Sequence, residues 1–173
     1  MWGLRERIGR ARRAYAGQER RPIEGYLRTM GAYGAVGLTL AGIAKATGRR
    51  IPERLSAGDV ALVSVATHKL SRLLAKDAVT SPLRAPFTRY AGPAGAGEVS
   101  EEVRDDQGHA KHAVGELVSC PFCLAVWVAT GLSAGLVLAP RFTRLLAVTF
   151  TAVAASDFLQ LAYTSAKNAA EKG

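Results

Sequence analysis

Apolar and charged positions along this chain are segregated rather than interleaved. Residues 29–44 and 117–140 carry no Asp, Glu, Lys or Arg, and a third run, 143–164, is interrupted past its opening Arg144 only by Asp157. At 1.5 Å per residue, 117–140 is long enough for a bilayer core of about 30 Å. A surface helix of a soluble domain keeps a polar face, and these runs have none. The pattern predicts an all-α, polytopic membrane helix bundle with about four transmembrane helices, over 30–47, 55–77, 121–139 and 143–164. Gly31, Ala35, Gly37 and Ala41 give the first span the small residues that let helices approach closely in lipid.

The second span is apolar only in its first half, "DVALVSVAT"; its second half is "HKLSRLLAKD". Charged residues cost about 3 kcal/mol each near mid-bilayer, more than the flanking apolar residues return. This helix therefore needs partners, or an interface for its basic half.

The remaining segments are polar. Residues 1–28 hold eight arginines (Arg5, Arg7, Arg10, Arg12, Arg13, Arg20, Arg21 and Arg28), with Leu4, Ile8, Ala11 and Tyr15 at helical spacing. They predict a basic amphipathic helix on an anionic membrane surface. The transmembrane domain then occupies 29–173. Within it, 91–113 is Gly/Ala-rich and then acidic, and predicts a flexible cytoplasmic loop.

Charge fixes the expected orientation. The formal net charge is +9, and basic residues gather at the leader, the 76–111 region and the tail. The positive-inside rule places these in the cytoplasm, making an inner-membrane, multi-pass protein with both termini inside. The leader is too long for the basic region of a cleavable signal peptide. No aromatic-interleaved basic motif is present, so no nucleic acid is expected as a partner. The expected partners are the bilayer and its anionic headgroups, with a protein partner or a second copy also open.

Three groups could carry chemistry. On the second span His68, Lys69, Arg72 and Lys76 fall within an arc of about 100°. Lys69 and Asp157 each lie about 14 residues into their spans from the outer side, roughly 21 Å of helix, so an intramembrane charge pair is expected. Arg72, Lys76, Asp77, Arg84 and Arg89 are candidates for a phosphate-bearing lipid. Cys120 and Cys123 flank Pro121, which suits a first helical turn and puts the cysteines at N-cap and third position, within disulfide reach. They are a redox couple, packed thiols, or half of a metal site completed by His109 and His112. No cofactor is expected. No phosphate loop, HExxH, GxSxG or paired-carboxylate motif occurs in the chain.

The blocks "LSRLLAKDAVTSPLRAPF" (70–87) and "VGELVSCPFCLAVWVA" (114–129) resemble DUF1360, a bacterial membrane family some of whose members are labelled sporulation-associated. The resemblance implies a small multi-span inner-membrane protein and supplies no activity. The leading reading is a non-enzymatic protein acting through interaction. Its rivals are a membrane thiol or metal protein using the CPFC motif, and a protein that binds or processes a phosphate-bearing lipid.

Overall fold

The computed structural model describes residues 23–172 together with Arg7, Gly9, Arg10, Ala14 and Tyr15. Most of the leader expected to be an amphipathic helix lies outside the described residues. The elements are α1 (Ile23–Ala46), α2 (Ala57–Lys76), a 3-10 turn (Ala78–Thr80), α3 (Ser81–Arg84), β1 (Thr88–Gly95), β2 (Glu98–Val103), α4 (His109–Ser119), α5 (Pro121–Leu138) and α6 (Pro140–Lys172).

Helix boundaries follow local chemistry. Ser56 caps α2 by accepting from Asp59 N at 2.9 Å, satisfying one of the donors a helix start leaves open. Pro121 and Pro140 open α5 and α6 at positions where a missing N–H costs nothing. The first and last expected spans are extended: α1 begins at Ile23, and α6 runs 33 residues to Lys172.

α2 is the central helix and packs against both α5 and α6. The core is built on Ala66, Leu132 and Ala147, with Leu62, Val63, Val128, Leu146 and Phe150 around them. Ala66 and Ala147 are fully buried, and their small side chains let the helix backbones approach closely. Two ion pairs bracket the α2–α6 seam: Arg144 with Asp59 at 2.8 Å and Lys69 with Asp157 at 2.8 Å. Residue numbers rise together along both helices, so α2 and α6 are parallel. Tyr33 on α1 reaches α5, with its hydroxyl 2.8 Å from Thr130 and its ring edge-on to Trp127.

Among the described residues, two helices are long and apolar enough to cross a membrane, α5 and α6. Glycines dilute α1, and basic residues dilute α2. Only 11% of the apolar window of either α5 or α6 is buried, whereas the core helix of a soluble protein would be mostly covered. Phe122, Phe142, Leu145, Phe158 and Leu159 lie open on the outside.

Two expectations are corrected. The chain is mostly helical but not all-α, and 91–113 is not a flexible loop. β1 and β2 form an antiparallel hairpin, pairing Tyr90 with Glu101 and Gly95 with Glu98, with irregularities at Ala91 and Ala94. Gly95 and Gly97 take φ of 133° and 79° around the turn, conformations glycine adopts without steric cost. The hairpin tip is tied to the end of α2, where Ala78 N donates to Gly97 O at 2.8 Å. Residues 109–113 belong to α4, which packs on α1 and β2. Both contacts depend on glycine. A Cβ on Gly25 would run into His109 O and Ala113, and one on Gly115 would lie 2.8 Å from Val103 Cγ1.

Candidate functional site

The end of α2 is organised around Arg84. This guanidinium is 1% exposed, and its partner carboxylate Glu101 is 6% exposed. Nε donates to Glu101 Oε2 at 2.6 Å, and Nη1 donates to Leu74 O and Thr80 Oγ1 at 2.7 Å each. Nη2 donates to Asp77 O at 3.0 Å, Glu101 Oε1 at 3.1 Å and Ser81 Oγ at 3.2 Å. All five N–H groups of the side chain are thus used within the protein. The carbonyl of Leu74 is one of those a helix C-terminus leaves unpaired, so Arg84 both caps α2 and holds β2 against it. Burial pushes the Glu101 carboxyl up; the Arg84 hydrogen bonds and charge, aided by Ser81 and Thr88, outweigh this and hold it below the ordinary range.

Beside this hub, α2, α6 and the hairpin enclose a cavity of about 610 Å³. His68, Lys69 and Arg72 line it from α2, Asp77 and Glu98 from the hairpin junction, and Asp157 with Phe158 from α6. Arg72 grips Glu98 through Nε at 2.9 Å and through Nη2 at 2.7 and 2.6 Å. Lys69 lies 2.8 Å from Asp157 and 4.0 Å from Asp77. The His68 ring stacks on Phe158 with centroids 6.5 Å apart. Of the basic stripe, His68, Lys69 and Arg72 therefore share one cavity with Asp157, while Lys76 is not among its lining residues.

The expected lipid-phosphate set is not assembled as a unit. Arg84 has no donor left, Arg72 and Asp77 face the cavity, and Arg89 pairs with Asp106 at 3.3 Å on the surface. Nor does the expected metal set converge. His109 and His112 open α4, and the eight residues from His112 to Cys120 separate them by roughly 12 Å of helix rise. Among the described residues no group of three or more His, Cys, Asp or Glu side chains could hold a metal ion. His112 instead lies 3.7 Å from Glu116, one turn on.

Cys120 and Cys123 are both free thiols. Cys120 is the N-cap of α5, its sulfur accepting from Cys123 N at 3.3 Å. The pair opens onto an apolar groove that also contains Glu116, Tyr26 and Leu117.

Glu98 and Glu101, the two carboxylates that complete these clusters, were missed as site residues because they sit in a Gly-rich acidic stretch. The available signal was charge balance: arginines buried or half-buried at the end of α2 call for carboxylates as partners.

No curated protein and no solved structure matches the chain. Residues 62–163 match the family described as protein of unknown function DUF1360. That segment holds the Arg84 hub, the charged cavity and the CPFC helix start. It is more than half of the sequence, and the chain belongs to the DUF1360 family.

Proposed function

We propose that this is a multi-pass protein of the bacterial inner membrane, with α1, α2, α5 and α6 in the bilayer and both termini in the cytoplasm. It acts as a non-enzymatic interaction unit. The hairpin and α4 form a platform clamped to the cytoplasmic end of the bundle, and the basic leader binds anionic headgroups. The observation that carries this reading is the internal neutralisation of the basic seam: Lys69 by Asp157, Arg72 by Glu98, and Arg84 by Glu101. Charges paired in this way fix the platform's position against the end of the bundle. The exposed apolar sides of α5 and α6 support the membrane setting, and the alternating helix directions support an even number of crossings.

The test is complementation of a deletion strain. A chain carrying Cys120→Ser with Cys123→Ser is expected to restore function fully, whereas Arg84→Ala is expected to fail with loss of the protein from the membrane. Failure of the double serine variant at normal abundance would overturn the interaction reading in favour of thiol chemistry. That second reading is favoured by one observation, the Cys120 sulfur engaging the Cys123 amide at the start of α5.

A further inference from the structure

We infer that the cavity between α2, α6 and the hairpin binds a zwitterionic amino-phosphate group, the headgroup of an ethanolamine phospholipid. This rests on the membrane setting proposed above and goes beyond it. Both signs of charge stand side by side on the cavity wall. Arg72 uses Nε and Nη2 on Glu98, and Nη1 has no hydrogen bond within the described residues. A guanidinium nitrogen is thus left for a phosphate oxygen, with Lys69 beside it as a second cation. From α6 the Asp157 side chain enters beside Lys69 and is 46% exposed despite that contact, so its carboxylate has lone pairs left for an incoming ammonium.

The balance of charge selects among headgroups. Three carboxylates, Asp77, Glu98 and Asp157, face two fixed cations, Lys69 and Arg72. A headgroup with only a phosphate would add to this excess of negative charge, and a simple amine would leave the Arg72 nitrogen unused. An ethanolamine phosphate adds no net charge and offers one group to each side. Its primary ammonium donates three hydrogen bonds, which a choline quaternary ammonium cannot. The mouth is amphiphilic as well: Phe158 and Leu161 line the same cavity and are 63% and 59% exposed. They offer an apolar flank to the acyl chains while the headgroup turns inward.

The test is native mass spectrometry of the full chain purified from vesicles of equal parts phosphatidylethanolamine, phosphatidylglycerol and phosphatidylcholine. Retained lipid is expected to be enriched in phosphatidylethanolamine by about fivefold or more over either competitor. Asp157→Asn is expected to abolish the preference over phosphatidylcholine. Arg72→Gln is expected to reduce total retention, and it serves as the informative variant should Asp157→Asn not fold. Equal retention of the three lipids, or preference for phosphatidylglycerol, would overturn the site. Soluble phosphoethanolamine added in excess separates the two sources of this chemistry. Displacement of the lipid would support the headgroup site and assign it to a soluble ligand as well; no displacement supports the lipid alone. A chain that stays membrane-bound after carbonate washing yet shows no lipid preference refutes the site alone. A chain released by carbonate refutes the membrane setting.

Discussion

Arg84 ties α2, α3 and β2 together through a buried ion pair with Glu101 and hydrogen bonds to Leu74, Asp77, Thr80 and Ser81. Removing one member of a buried, fully hydrogen-bonded ion pair costs about 3–5 kcal/mol, because the other charge is left without compensation. Arg84→Ala is therefore expected to lower the thermal unfolding midpoint sharply in detergent. Arg84→Lys is expected to recover little of the loss, since an ammonium offers three donors and no planar fork. Glu101 supplies the pH dependence. Its carboxyl lies below the ordinary value of 4.5, so the folded state binds its proton more weakly than the unfolded chain does. The contribution is complete above that ordinary value and is lost as pH falls toward the lowered one. The unfolding midpoint is expected to hold between pH 7 and 5 and to drop below pH 4.5, and Glu101→Gln is expected to flatten that drop while lowering the midpoint at neutral pH. A drop of equal size in the Gln variant would assign the acid sensitivity elsewhere.

Single elements differ in how plainly the sequence announces them. The start of α5 is written locally, in a proline at the first position after a residue able to cap, followed by an uncharged run. The Lys69–Asp157 contact follows from equal depth along two helices, a matter of counting residues. The hairpin has no such local signature. β1 reads "TRYAGPAG" and β2 reads "EVSEEV", rich in residues that strands disfavour. Its stability comes from Arg72 and Arg84 reaching across from α2 and α3, contacts 26 and 17 residues apart in sequence. Composition therefore pointed to a linker, and tertiary pairing overrode it. The same distance effect explains Gly115, whose place in the Gly-Glu-Leu block has no meaning until α4 meets β2. Gly115→Ala would bring a Cβ to 2.8 Å from Val103 Cγ1 and 3.2 Å from Phe87 O. It is expected to cost about 1–3 kcal/mol, in the range of overpacked cores, and to make 91–107 susceptible to limited proteolysis. Resistance equal to that of the parent chain would show that α4 does not dock on the hairpin as described.

For the whole molecule, two parallel helices, α2 and α6, flank a charged seam, and α5 runs antiparallel beside them. The polar platform lies at one end and the short connections, 47–56 and the 139–140 turn, at the other. Among the described residues this body buries one charged residue, Arg84, pairs others along the seam and platform, and leaves large apolar side chains of α5 and α6 exposed. The most direct test of this arrangement is labelling with a membrane-impermeant maleimide in intact cells. The host chain carries Cys120→Ser and Cys123→Ser, and one cysteine at a time is introduced as Arg50→Cys, Arg141→Cys, Asp105→Cys or Glu171→Cys. Labelling is expected at positions 50 and 141 from outside, and at 105 and 171 only after permeabilisation. Labelling at 105 in intact cells, with 50 and 141 protected, would contradict the proposed orientation. Recovery of the unlabelled chain in the aqueous fraction would contradict its embedding in the membrane.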